Sequence, residues 1–347
     1  MKQWLKLCLT GVTAALLLMS FAACGGGGEE DASYVPDSGE KASVTCPLDG
    51  ERLDSPASVG DYVFIVSIEN GPDSEPQTAI GEADLLIEVP VEAGITRFMA
   101  FFYHHMPDSI GPVRSARHYF YDVVNGYDAI MVHCGGSEQA YNVIENTPVK
   151  DIDEISLSGP FRRVGGRKAP HNLYTSYKDL RAAADKRGYG AVSLDDCPAF
   201  SFLTEAEAAE LTFGGVSELS LPYRYKPVRY EWDESAETYQ RYSDGHLHMD
   251  EGLDEAVTAD NVAVLYVSSS VIDSEGRLDM DIDAGEGLLL QYGRAIPITW
   301  DQQNGRGFSF YDAEDGSAVK LLPGRTIIQV ISPDRKAEYT LSGGGED

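Results

Sequence analysis

Residues 97–146 read RFMAFFYHHMPDSIGPVRSARHYFYDVVNGYDAIMVHCGGSEQAYNVIEN, and in them apolar runs alternate with helical spacing. TRFMAFFYH (96–104) and YDAIMVH (127–133) are short aromatic and aliphatic runs of strand length. Between them, Val113, Ala116, Phe120 and Val124 would share one face of a helix, and Arg114, Arg117, Tyr121 and Asn125 the adjacent face. Pro112 suits the first helical position and Gly126 a C-terminal cap. Ser137 then caps a second helix over EQAYNVIEN (138–146). Strand 97–104, helix 112–125, strand 128–133 and helix 137–146 thus predict a β-α-β-α unit, with parallel strands joined by a right-handed crossover.

The flanking sequence extends this pattern. DYVFIVSIE and ADLLIEVPV read as strands, and Ser176 with Asp179 caps a helix over YKDLRAAADKRG. From about residue 222 the style changes to β-branched and aromatic runs separated by turn dipeptides: YKPVRYEWD, ETYQRYSDG, NVAVLYVSSS, GRLDMDIDA, GLLLQYGR, FSFYDAEDG and RTIIQVIS. The expected fold is α+β. An N-terminal α/β domain (46–200) has a mixed sheet containing the β-α-β-α unit, and a connection with a short helix (201–221) leads to a β-rich, mostly antiparallel C-terminal domain (222–335) and a tail (336–347). No internal repeat is present at any period.

The chain starts MKQWLKLCLTGVTAALLLMSFAAC, two lysines and an apolar run from Leu7 to Phe21 before small residues, which is the pattern of a signal peptide over residues 1–23. The FAAC ending is similar to a bacterial lipobox with Phe21 in the usual leucine position, so Cys24 is the expected lipidation site. Residues 24–45 are glycine-rich, acidic and poor in large aliphatics, hence a flexible tether. About twenty such residues reach roughly 25 Å. The expected location is extracytoplasmic, on the cell membrane through the lipid anchor.

Removing residues 1–23 leaves 25 basic against 56 acidic residues, a balance of −31 that repels nucleic acid and anionic headgroups. Basic residues nevertheless gather at Arg97, Arg114, Arg117, Arg162, Arg163, Arg167 and Lys168. If the two strands are parallel, both following loops leave one sheet edge. Arg114, Ser115 and Arg117 then meet His133, Gly135, Gly136 and Ser137 there. Glycines admit a ligand to the backbone, a helix start adds partial positive charge and arginine supplies a forked donor, so this edge predicts an anion site. A diglycine that merely turns the chain, with arginines paired to local acids, is the alternative. Cys46, Cys134 and Cys197 lack metal-ligand spacing, and their pairing stays open.

PQTAIGEADLLIEVPVEAGITRFMAFF, IGPVRSARHYFYD, DAIMVHCGGSEQAY and APHNLYTS, with TYQRYSDG and ITWDQQ later, resemble the YerB-like family of bacterial lipoproteins from about Pro47 to the end. That family has no assigned function. The resemblance implies a lipoprotein with two unlike halves and marks Glu88, Glu92, Thr96, Arg97, Arg114, Ser115, Arg117, His133, Gly135, Gly136, Ser137, Arg167, His171, Asn172 and Tyr174 as candidates. Cys134 departs from the small residue usual in relatives.

Glu88 and Glu92 are spaced like a glycosidase pair, yet the turn at Ala93-Gly94 should hold them far from Arg114, with Glu92 paired to Arg97. His133 with Ser115 or Ser137, and His171, offers a nucleophile and base, but no G-x-S-x-G elbow exists. No metal and no cofactor are expected. Asp279, Asp281 and Asp283 fail the EF-hand template, His246 and His248 suit a polar hairpin, and His104-His105 lack ligand spacing. The favoured reading is a tethered binder of a small anionic ligand or envelope polymer. A hydrolase or transferase on such a substrate and an envelope scaffold that binds another envelope protein through the β-rich domain are the alternatives, and the identity of any protein partner stays open. Replacing Cys24 with serine should release the protein from membranes into the medium of a Gram-positive-type host, as read by immunoblot of the two fractions; undiminished membrane association would contradict the anchor.

Overall fold

Every residue of Phe64–Asn70 (β1) and Thr96–Phe102 (β3) is buried, and successive side chains enter two different cores. Ile65, Met99 and Phe101 belong to one core, and Phe64, Val66, Phe98 and Ala100 to the other. A sheet covered on both faces requires near-continuous apolar runs, which is why these segments read so plainly as strands. The computed structural model describes residues 44–302 and 306–341. The signal peptide, Cys24, the tether through residue 43 and the tail from residue 342 lie outside the described residues.

The remaining strands are β2 (Leu85–Pro90), β4 (Ile130–His133), β5 (Lys150–Asp153), β6 (Val216–Leu221), β7 (Val228–Asp233), β8 (Thr238–Ser243), β9 (Asn261–Tyr266), β10 (Ala284–Gln291), β11 (Arg294–Asp301), β12 (Ser309–Asp312), β13 (Thr326–Ile331) and β14 (Glu338–Leu341), with a few ladders of two or three residues. The helices are α1 (Phe120–Gly126), α2 (Glu138–Asn146), α3 (Tyr177–Arg187) and α4 (Glu205–Ala209). The fold is α+β. A ten-stranded mixed sheet runs β12-β11-β10-β9-β13-β2-β3-β1-β4-β5, so strands from both halves of the sequence share it. An antiparallel sheet, β8-β7-β6-β14 with short additions, supplies Leu219, Tyr230 and Tyr239 to the second core beside Leu180 and Ala184 of α3. Phe120, Val123 and Val124 of α1 enter the first core.

Several expectations for local structure change. Helix 112–125 shrinks to Phe120–Gly126, because the amides before it are spent on tertiary partners: Val113 donates to Leu173 O, Arg114 to Ser67 O and Ala116 to Gly135 O. β3 and β4 are not a parallel pair. β3 lies antiparallel to β1, and β1 lies parallel to β4, so the crossover unit is β4-α2-β5. The stretch read as a connection holds α4, as expected, but also β6. Strand β11 was hidden by Pro297, which the sheet accepts because β12 pairs only with residues 298–301. The Ser137 and Ser176 caps form, accepting from Ala140 N and Asp179 N. Cys46, Cys134 and Cys197 are free thiols, and burial pushes Cys134 up to about 11 and Cys197 to about 12.

A fully buried ion pair joins the two sheets. Arg241 of β8 donates to Glu88 of β2 at 2.7 Å, and the other Glu88 oxygen accepts from Asn70 at 2.8 Å and Thr96 at 2.7 Å. The guanidinium also meets His248 Nδ1, and His248 Nε2 donates to Gln77 Oε1 at 2.8 Å. Burial first, then the adjacent Arg241 charge, holds His248 well below the usual histidine range, so it serves as an uncharged bridge. His248 is therefore a core residue, whereas His246 lies on the exposed hairpin expected for both. Glu88→Ala should cost about 3–5 kcal/mol in urea unfolding by stranding the Arg241 charge. A loss under about 1 kcal/mol would show that the pair does not anchor the sheets.

Candidate functional site

The two loops singled out in the sequence do meet, although by another route than a shared parallel edge. The chain at 113–116 runs back along the sheet, where Cys134 N donates to Arg114 O and Ser137 N to Ala116 O. Ser115 Oγ donates to the Cys134 carbonyl at 2.9 Å. Gly135 has φ +72°, a conformation that explains glycine there.

The cradle at the start of α2 already holds an anion from within the chain. One Asp153 oxygen accepts from Gly135 N at 2.8 Å and Ile155 N at 3.1 Å, and the other from the Tyr141 hydroxyl at 2.9 Å. Gly135 thus turns the loop around Asp153, while Ser137 caps α2 by accepting from Ala140 N. His133 is fully enclosed: Nδ1 donates to the Gly135 carbonyl at 2.8 Å, and the Tyr121 hydroxyl donates to Nε2 at 3.3 Å. A base there would have to work without reaching solvent.

The arginines are latched in the same way. Arg117 grips Glu92 with two nitrogens, and Arg97 lies 3.5 Å from Glu92 while donating to Ser115 O at 2.6 Å. Glu92 therefore pairs with Arg97 as the sequence suggested, but it also reaches the Arg114–Arg117 loop instead of standing remote from it. Burial, and secondly the Arg117 charge, lowers Arg97 to about 10. Glu88 and Thr96 belong to the inter-sheet network, bonded at 2.7 Å.

One group opens outward. Arg114 donates to Glu69, and His171 Nδ1 donates to the same carboxylate at 2.9 Å. His171 borders a cleft of about 1020 Å³ between segments 73–78, 164–174 and 251–252. Arg167 enters this cleft, donating to Ser74 O at 3.0 Å, to Pro76 O and to Glu251 at 2.9 Å. Asn172 fastens the loop by donating to Arg167 O at 3.2 Å and accepting from Arg163 at 3.0 Å. Lys168 is exposed at the cleft, and a Cβ at Gly165 or Gly166 would meet nothing within 4 Å. Tyr174 is 2 % exposed, and its hydroxyl makes no hydrogen bond of normal geometry, with Thr78 its polar neighbour.

Arg114, Arg167, His171, Asn172 and Tyr174 therefore surround or back one cleft, whereas Arg97, Arg117, Glu92 and His133 are internal supports. Glu69 and Glu251 escaped notice in the sequence. Glu69 ends a run that reads simply as a strand, and Glu251 comes from the other half of the chain. The His118–Asp279 contact at 2.8 Å likewise ties together segments far apart in sequence.

Burial alone would raise the Glu92 carboxyl, but the hydrogen bonds and charges of Arg117 and Arg97 hold it below its ordinary 4.5. A depressed folded value means that its stabilisation is complete above the ordinary value and is lost as pH falls through the folded one. Glu92→Gln should cost about 1.5–3 kcal/mol at neutral pH, with the difference from wild type closing in acid. Thermal unfolding between neutral pH and the acid limit checks this, and a difference independent of pH would refute it.

Residues 48–190 match the family model described as protein of unknown function (DUF3048) N-terminal domain, and residues 219–328 match its C-terminal domain. A Bacillus subtilis (strain 168) protein named YerB and described as a candidate lipoprotein is 33 % identical over 347 residues, covering 99 % of this chain and 100 % of its own. The crystal structure of Bacillus subtilis YerB matches with a TM-score of 0.77 at 32 % identity, over 86 % of this chain and 99 % of that one. With both family domains in order and similarity along nearly its whole length, the chain belongs to the YerB-like DUF3048 family.

Proposed function

We propose that the protein is a lipid-anchored extracytoplasmic binder that takes a small phosphate- or carboxylate-bearing envelope ligand in the cleft beside Arg167. The convergence of the Arg167 fork, Lys168, His171 and the buried Tyr174 on that one cleft is the observation that carries this reading. The Tyr174 hydroxyl makes no well-formed hydrogen bond with its neighbour Thr78, so a ligand acceptor would offer it a better partner. Arg167, Lys168 and His171 contribute cationic or donor groups nearby, and Gly165 and Gly166 leave the backbone open to close approach. Three acids also border the cleft: Glu251 is held by Arg167 at 2.9 Å, Glu75 by Lys226 and Ser243 at 2.8 and 2.7 Å, and Asp73 stands on the wall beside them.

In this reading an incoming anion competes with Glu251 for Arg167, while the bonds to Ser74 O and Pro76 O keep the guanidinium in place. The acidic surroundings favour a compact anion that engages the fork directly over a highly charged polymer. Attachment rests on the lipid at Cys24; among the described residues no helix is long and apolar enough to cross a membrane.

Titration calorimetry with inorganic phosphate and with acetate tests the site. Saturable binding of at least one should weaken about tenfold or more in Arg167→Lys, which keeps the charge and removes the planar fork, and should also weaken in Tyr174→Phe. Absence of saturable binding to wild type, or affinity unchanged in both variants, would overturn the assignment.

A further inference from the structure

We infer that Asp49, Asp84, His104 and His105 form a binding site for a divalent transition-metal ion of zinc type, separate from the cleft. The four residues come from three places: a turn near the start of the described chain, the entry to β2 and the exit from β3. One ligand atom from each lies within 4.8 Å of all the others. His105 Nδ1 is 2.6 Å from Asp84 Oδ1 and 3.9 Å from Asp49 Oδ2, and His104 Nδ1 is 3.1 Å from the same Asp49 oxygen. Zinc bonds of about 2.0–2.2 Å in a tetrahedron place neighbouring donor atoms roughly 3.3–3.6 Å apart. Opening the shortest contact by under an ångström and closing the longer ones would accommodate the ion.

The carboxylates are oriented before any ion arrives. Asp84 accepts from His104 N at 2.9 Å and His105 N at 3.0 Å, and Asp49 Oδ1 accepts from Glu51 N at 2.7 Å. The two aspartates are 2 % and 1 % exposed, and the imidazole rings lie beside each other with centroids 4.5 Å apart. Backbone donors that fix carboxylate direction are the outer support that metal centres need.

A second, independent feature is space. Asp49, Asp84 and His105, with Glu51, Asp260 and Arg325, border a cavity of about 120 Å³. At about 30 Å³ per water molecule, this volume admits an ion with a few waters. Two imidazole nitrogens and two carboxylate oxygens suit zinc or a similar transition metal, whereas calcium prefers six or more oxygens. The alternative, two histidine–aspartate hydrogen-bonded pairs, uses the same atoms but leaves the turning of His105 Nδ1 toward both aspartates and the adjoining cavity without a role.

The test uses the full chain stripped with chelator and titrated with Zn²⁺, and separately with Co²⁺ for its visible spectrum. One ion per chain should bind, Co²⁺ should show the intense bands of a tetrahedral site, and Zn²⁺ should raise the thermal midpoint. Asp49→Asn and the double variant His104→Gln, His105→Gln should each weaken Zn²⁺ at least tenfold and lose the Co²⁺ bands. Asp84 is left intact because backbone amides depend on it. None of the four residues lines the cleft, so phosphate or acetate binding there should not change in these variants. Failure of wild type to bind Zn²⁺ stoichiometrically, or unchanged affinity in the double variant, would overturn the site.

Discussion

The Arg241–Glu88 pair constrains much of what surrounds it. Two charges removed from water are tolerated only with good geometry and satisfied remaining lone pairs, so every group touching them is held in place. Glu88 fixes Asn70 and Thr96, which ties β1, β2 and β3 together, while Arg241 brings β8 and His248 onto that face. Gln77 extends the network by donating to Glu69 O at 3.0 Å and to Asn70 Oδ1 at 3.1 Å. Glu251 N donates to Gln77 O at 2.7 Å. Two walls of the cleft, from opposite halves of the sequence, are therefore registered by one buried polar system. A one-residue slip in either sheet would strand its charges.

A second pattern is internal neutralisation. The chain is strongly acidic, yet the arginines near the Arg114 loop are almost entirely engaged: Arg117 and Arg97 with Glu92, and Arg114 with Glu69. The backbone cradle at Gly135 is filled by Asp153. Features that attract an external anion in isolation are here satisfied by the protein's own carboxylates, which makes the loop rigid. Openness moves one shell outward, to His171, Arg167 and Lys168, where glycines leave the backbone uncovered.

Both devices draw on one physical rule. A buried charge or donor must find a partner, and when the chain supplies it the result is structure; where the chain leaves it open, the group is available for binding. The Tyr174 hydroxyl at the cleft, beside Thr78 but without a well-formed hydrogen bond, stands between the two kinds. The Asp49–Asp84 cluster also lies between them, since its carboxylates are held by backbone donors while His105 beside them borders a cavity.

Strand content, the two serine caps, α2, the change of style in the second half and the family itself were legible in the sequence because they depend on local spacing and on long continuous motifs. Periodicity also suggested a helix over 112–125 and failed, since the amides of Val113, Arg114 and Ala116 found tertiary acceptors that no local pattern discloses. Local spacing also shows no companion for His104-His105, whose aspartate neighbours lie 55 and 21 residues away along the chain. By itself, the sequence determined which segments bury both faces, where helices are capped and which residue types are gathered near the loops. Only the tertiary structure decided the strand order, which carboxylate claims each arginine and which groups remain open, because a hydrogen-bond partner is chosen by proximity in space and sequence separation does not encode it.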